Sequence, residues 1–386
     1  MSDIQNQNKD HLNIAMIGHK RVPSREGGVE VVVGELSSRL AALGHSVTCY
    51  NRRGRCLGED GGSRKGPDSW NGVKLHYMPT LRQKGLSAFT ASFFGSFCCA
   101  FGNYDVVHFH AEGPSAMCWL PKLFGKRIIV TVHGLDHQRA KWGWFARKFI
   151  YLGEKTAVRW ADEIIVLSPS TQRYFLDHYH RRTCFIPNGV SRPQRREASA
   201  IKSSLGLEKD SYILFLGRIV PEKGIRYLIE AYRAVRTDKR LVIAGASSDT
   251  DRFVSEMRAL ASGDSRILFT GYVENAVLEE LYSNAYIYVL PSDLEGMPLS
   301  LLEAMSYGNC CLVSDIAECA GIAEDKALTF RKGETEDLRS QLQQLCDHPE
   351  VVASYRAGTA DYICSKYDWD DVVEKTLRLY RSGDLT

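Results

Sequence analysis

The stretch richest in chemical possibility is Glu295-Gly296-Met297-Pro298-Leu299-Ser300-Leu301-Leu302-Glu303, where two carboxylates are separated by seven residues. Pro298 suits the first turn of a helix, so Gly296 and Met297 offer backbone N–H groups at a helix start. Such a junction can hold a phosphate on N–H groups while Glu295 and Glu303 take sugar hydroxyls. Glu303 alone could be a surface helix residue. Its neighbours Leu299, Leu302 and Met305 favour a sheltered carboxylate, which needs a partner. A second loop, 217–224 (GRIVPEKG), carries Arg218 and Lys223 between an apolar run and a helical pattern. Two cations beside a helix start suit a diphosphate, Arg as a bidentate fork and Lys as a point charge. A solvated basic loop is the ordinary reading of such a pair. Its position at the carboxyl end of a parallel strand favours phosphate binding.

The first half has its own candidates. Gly27-Gly28 lies between the first strand pattern and the first long helical pattern. Glycines there let N–H groups approach an anion, although a simple tight turn explains them equally well. The G-x-G-x-x-G dinucleotide fingerprint is missing, so an NAD reading lacks its main support. His108, His110 and His133 fall at strand ends. His108 reads as a core residue, His133 as a ligand-facing one, and His110 stands between them. Neither H-E-x-x-H nor a Cys/His cluster accompanies them, and no metal site is expected. The segment 139–151 interleaves Arg139, Lys141, Arg147 and Lys148 with Trp142, Trp144 and Phe145. That pattern fits either an anionic membrane or acceptor contact, or an amphipathic helix with a solvated charged face.

These residues need a scaffold of alternating strands and helices. Strands are expected over 13–18, 46–51, 73–78, 105–110, 127–133 and 163–167, then over 212–216, 241–244, 266–270, 285–290 and 310–314. Several are continuous Val/Ile/Leu runs, the mark of parallel strands covered on both faces. Helical patterns fill 29–43, 145–160, 225–236, 251–261, 274–283, 299–307 and 367–380. The alternation predicts two doubly wound, Rossmann-like α/β domains with ligands at the carboxyl ends of the strands, in a cleft between the domains. Pro187-Asn188-Gly189 and the polar stretch after it read as a linker, placing domains at 1–190 and 191–365, with a terminal helix at 366–386.

The totals agree with an enzyme of this kind. At 386 residues the chain is long enough for two domains, and 44% hydrophobic against 25% charged residues excludes disorder. Forty-nine basic against 46 acidic residues leave a net charge of +3, too balanced for a nucleic-acid partner. Eleven cysteines without C-x-x-C spacing read as reduced thiols. The first twelve residues have no apolar core, so a signal peptide is not expected. The run 86–101 is interrupted by Ser, Thr and Gly and is too short to span a bilayer. It reads as a packed helix, with a membrane-facing element as the other reading. A cytoplasmic protein is expected, with a peripheral contact to the inner membrane face as an option.

With these motifs in place, the chain resembles the retaining glycosyltransferases of family 4, enzymes of GT-B architecture. The likeness is carried by Gly27-Gly28, Thr131-Val132-His133-Gly134, the 217–224 loop and the E-x7-E element from Glu295 to Glu303, and it spans essentially the whole chain. It implies donor binding by the C-terminal half and acceptor binding mainly by the N-terminal half. By that resemblance Arg218 and Lys223 neutralise the leaving diphosphate, Glu295 holds donor-sugar hydroxyls, and Glu303 binds the ribose. Gly28 approaches the phosphate and His133 contacts the transferred sugar, with Gly296, Met297, Pro298 and Leu299 completing the donor site. Gly27, His110, Arg139 and Lys141 are the acceptor-side candidates. The terminal helix is expected to return to the N-terminal domain. A nucleotide diphosphate sugar serves as co-substrate, with UDP ahead of GDP or ADP on frequency, and neither a metal nor a further cofactor is expected. The acceptor could be a glycan, a lipid-linked glycan or a small molecule. The rival readings are a nucleotide-sugar 2-epimerase or a phosphorylase of the same fold and, more remotely, a non-catalytic two-domain sugar-binding protein.

Overall fold

The computed structural model describes residues 11–53, 66–81, 86–138, 143–246 and 251–381. It divides the chain into two compact units. The first runs to Asn188 and resumes at Trp369, and the second is Gly189–Asp368.

Unit 1 is built on an eight-stranded sheet of β1 (Asn13–Ile17), β2 (Ser46–Arg52), β3 (Ser69–Trp70), β4 (Val73–Met78), β5 (Val106–His110), β6 (Arg127–Val132), β7 (Glu163–Val166) and β8 (Cys184–Phe185). Their order is β3-β4-β2-β1-β5-β6-β7-β8, parallel throughout except for the β3–β4 pair. β5 and most of β1, β6 and β7 are buried, as the unbroken apolar runs require. The helix Trp369–Tyr380 belongs to this unit. Tyr380 bonds His108 at 2.6 Å, Arg127 Nε donates to the Leu379 carbonyl, and Arg39 lies over Trp369.

Unit 2 carries a six-stranded, wholly parallel sheet in the order β11-β10-β9-β12-β13-β14. Its strands are β9 (Tyr212–Leu216), β10 (Arg240–Ala244), β11 (Ile267–Gly271), β12 (Ile287–Leu290), β13 (Cys311–Ser314) and β14 (Leu328–Phe330). In each sheet the winding reverses beside the first strand, between β1 and β5 in unit 1 and between β9 and β12 in unit 2. Doubly wound sheets bind ligands outside the carboxyl ends of the strands at such a reversal.

The expected elements differ only in their bounds, while the helices Pro169–Tyr179, Thr335–Asp347, Pro349–Arg356 and Thr359–Lys366 are among those the sequence patterns do not predict. The helix begun at Ile225 ends at Arg233 rather than 236, because Val235 N–H turns back to the Tyr232 carbonyl. β12 begins two residues late, at Ile287. The run 86–101 is the helix Leu86–Phe101, packed on one side only: Phe93, Phe94, Phe97 and Phe101 remain exposed. No helix among the described residues is long and apolar enough to cross a membrane. Ten described cysteines are free thiols.

Candidate functional site

In unit 2 the two motif loops leave adjacent strands at the reversal. β9 delivers Gly217 and Arg218, a short 3-10 turn (Pro221–Lys223) follows, and the helix Ile225–Arg233 buries Ile225, Leu228, Ile229 and Tyr232 beneath it. β12 delivers Pro291 to Glu295, and the helix Leu299–Ser306 buries Leu301, Leu302, Ala304 and Met305. Pro298 caps that helix one residue before its first turn, so Gly296 and Met297 lie in the loop ahead of it rather than within the helix.

The tertiary fold brings Lys223 and Glu295 together. Nζ of Lys223 meets Oε1 of Glu295 at 2.5 Å, with the side chains only 13% and 9% exposed. Ser292 donates to the same oxygen at 2.6 Å, and the Ser314 hydroxyl ties the Ser292 carbonyl to the end of β13. The pair is thus a sheltered, fixed charge couple, stronger than an exposed one. Among the described residues the Arg218 guanidinium, half-buried, has no ion-pair partner. Glu303 is half-buried and accepts a hydrogen bond from the Tyr282 hydroxyl at 3.1 Å.

Sequence reasoning missed three contributors here. Ser292 and Tyr282 orient the two motif carboxylates, and nothing in an isolated loop serine or helix tyrosine signals that. The third is Glu222, whose buried carboxylate accepts no hydrogen bond, while its carbonyl accepts from Asp293 N–H at 2.8 Å. It fastens the first loop to the second through its backbone.

Unit 1 gathers histidines at its own reversal. His108 is fully buried between the Tyr380 and Thr131 hydroxyls, at 2.6 and 2.7 Å. Its ring stacks on that of His110 at 4.2 Å, and His110 Nδ1 lies 3.1 Å from His133 Nε2. His110 is fully buried, so its ring reaches outward only through His133. His19, after β1, bonds Asn51 at 2.9 Å. Burial holds His19 down to about 4 and His108 to about 3, and burial with the neighbouring histidines holds His110 well below the usual imidazole range. These three rings are therefore neutral at pH 7.

Gly27 caps the helix Gly28–Ala42, close beside the Glu30 carboxylate, which accepts from Lys20 N–H at 2.8 Å. Arg139 and Lys141 lie outside the described residues.

Two doubly wound sheets, each with chemically equipped loops at its reversal, are the GT-B architecture. The comparisons give the family. The model described as "Glycosyltransferase Family 4" matches residues 26–192, and "Glycosyl transferases group 1" matches 210–348. The chain belongs to glycosyltransferase family 4. It is 24% identical to the alpha-maltose-1-phosphate synthase of Mycolicibacterium smegmatis, over 96% of this chain and 99% of that one. It is 27% identical to the GDP-mannose:cellobiosyl-diphosphopolyprenol alpha-mannosyltransferase of Komagataeibacter xylinus, over 72% of each. Its fold matches that of Anabaena HepE in complex with UDP and glucose, with a TM-score of 0.79 and 14% identity over 96% of this chain and all of that one.

Proposed function

We propose that the protein transfers a hexose from a UDP-sugar to a hydroxyl of a lipid-linked glycan, with retention at the anomeric carbon. The observation that carries the donor assignment is the Lys223–Glu295 couple, which joins the two motif loops at the β9/β12 reversal. Glycosyl transfer develops positive charge on the sugar and negative charge on the departing diphosphate. Arg218 and Lys223 oppose the negative charge, aided by the N–H groups of Gly296 and Met297, and Glu295 orients sugar hydroxyls. Glu303, steadied by Tyr282, takes the ribose. His133, backed by His110, is assigned to the transferred sugar, and unit 1 to the acceptor. With two cations at the diphosphate, no divalent ion is needed there. No second carboxylate is assigned as nucleophile; retention follows from the leaving phosphate oxygen taking the acceptor proton on the same face. The UDP of HepE supports the donor base, and the GDP-mannose of the Komagataeibacter relative supplies the competing one.

A thermal-shift screen of nucleoside diphosphates and their sugars tests the donor. UDP is expected to raise the unfolding temperature of the protein, and the shift should vanish in Glu303→Ala. A shift with GDP alone would overturn the UDP assignment.

The lipid-linked acceptor is supported by the surface of unit 1 and by the polyprenol substrate of the same relative. Phe97 and Phe101 are 51% and 62% exposed, and Phe101 packs on exposed Phe124 at 4.6 Å. Phe89 contacts Phe149 of the helix Trp144–Trp160, where Trp144 is 70% exposed with Lys148 over its ring. Exposed aromatics with a lysine such as Lys148 beside them suit the interface of an anionic bilayer. The protein is expected to float with phosphatidylglycerol–phosphatidylcholine vesicles, and Phe97→Asp with Phe101→Asp should weaken that binding about tenfold or more. Equal flotation of the double variant would remove the membrane from this reading.

A further inference from the structure

We propose that Glu112, His137 and Glu154 of unit 1 form a divalent-cation site, suited to Zn²⁺. The three come from separate elements: the start of the short helix Glu112–Ser115 after β5, the 3-10 turn Asp136–Gln138 after β6, and the middle of the helix Trp144–Trp160. Each offers one ligand atom, and the three atoms lie within 4.8 Å of one another. His137 Nδ1 is 3.2 Å from Glu154 Oε2 and 3.9 Å from Glu112 Oε1. Donors around a tetrahedral zinc with bonds near 2.0–2.1 Å are separated by about 3.3 Å, so small side-chain adjustments close the site.

The carboxylates are oriented as metal ligands are. Glu154 spends Oε1 on the hydroxyls of Tyr174, at 2.9 Å, and Tyr179. Glu112 spends Oε2 on the Asp136 N–H at 2.8 Å. The other oxygen of each, Glu112 Oε1 and Glu154 Oε2, faces His137 and makes no well-aligned hydrogen bond, although both residues are fully buried. Outer partners that fix one oxygen and leave its twin for the ion are what ligating carboxylates show. Two buried carboxyl groups so close repel when both are ionised, and a positive charge between them, on His137 or on a metal ion, relieves that repulsion.

One imidazole and two carboxylates favour Zn²⁺ among the common divalent ions, since Mg²⁺ keeps its waters in octahedral oxygen sites and Ca²⁺ needs six or more oxygens. The His137 side chain is 20% exposed, which leaves a solvent path and a fourth position for water. The backbone marks the same place: Ala111, next to Glu112, sits at φ 78°. An ion here would bind the segment that follows His133 to β5 and to the helix Trp144–Trp160. It belongs to unit 1 and takes no part at the donor diphosphate. No motif announces it, because the ligands are far apart in the sequence.

The full-length protein, stripped with chelator and dialysed, is titrated with Zn²⁺ alone by calorimetry, and bound metal is counted by mass spectrometry. One high-affinity Zn²⁺ per chain is expected. The dissociation constant should rise at least 100-fold in His137→Ala and in the isosteric Glu112→Gln, while millimolar Mg²⁺ fails to compete. Absence of a stoichiometric site in the folded protein would overturn the proposal, leaving His137 alone between the two carboxylates. Undiminished binding in both variants would overturn it too, by placing the ion on the free thiols or surface histidines. Neither readout depends on sugar transfer, so the outcome stands apart from that of the donor assignment.

Discussion

Lys223→Ala is expected to lower sugar transfer by about 10²–10³-fold, and Glu295→Gln by a similar factor, chiefly through kcat. In the proposed donor site the Lys223 ammonium opposes charge that grows only as the diphosphate departs, so its loss should weaken the transition state more than the bound donor. The single Lys223 variant also leaves the sheltered Glu295 carboxylate without its counter-charge, and stranding one partner of a buried pair costs about 3–5 kcal/mol. With side chains 13% and 9% exposed the couple is not wholly dry, so the lower end of that range applies. Stability and catalysis are separated by the double variant Lys223→Met, Glu295→Gln. Removing both charges restores the unfolding temperature to near that of the wild type, while Ser292 still donates to the amide oxygen at position 295. Transfer, however, stays at the level of the single variants. If the double variant turned over at near wild-type rate, the couple would be structural and the donor assignment would fail. The measurement is steady-state transfer from the donor sugar alongside thermal unfolding of the same samples.

That couple also shows where sequence reading stops. The strands Val73–Met78 and Tyr212–Leu216 and the helix Asp251–Ala261 have the bounds that their patterns predict, because each is a clear alternating, apolar or amphipathic run between polar neighbours. The strands Cys184–Phe185 and Leu328–Phe330 are too short to show any period. The helix Pro169–Tyr179 was equally invisible, since it buries only Thr171 and Phe175, although Ser168 caps it by accepting from Thr171 N–H. Both phosphate-type loops were legible, because their composition is local: glycine, two cations or two carboxylates within nine residues. Their partnership was not. Lys223 and Glu295 are joined by strand order, which puts β9 beside β12, and no local spacing encodes that. The histidines show the same limit. His133 could be picked out by its place before Gly134, but its contact with His110 depends on the β5–β6 register that pairs His110 with Thr131.

Strand order has a steric side as well, and it leads to the largest stability effect expected in unit 1. Gly18 follows β1 with φ +117°, and a Cβ built there would stand 2.1 Å from the His110 carbonyl oxygen. That oxygen is backbone at the end of β5 and cannot swing aside as a side chain could. Gly18→Ala must therefore separate the carboxyl ends of β1 and β5, whose pairing reaches Ile17 and Phe109. The cost combines an unfavourable left-handed backbone with a backbone collision, about 4 kcal/mol in all. For a unit of this size that lowers its unfolding temperature by about 8–16 °C. Gly44 supplies the control: its φ is +91°, yet nothing lies within 4 Å of a Cβ there. Gly44→Ala should cost only the conformational share, about 1 kcal/mol, and a few degrees. Differential scanning of the two variants isolates the collision, and equal unfolding temperatures would show that the close approach of Gly18 to His110 is not a constraint. Because His110 lies 3.1 Å from His133, the displaced strand end should also slow transfer in Gly18→Ala. UDP binding should be largely retained there, since Arg218, Lys223 and Glu303, assigned to the diphosphate and ribose, belong to unit 2.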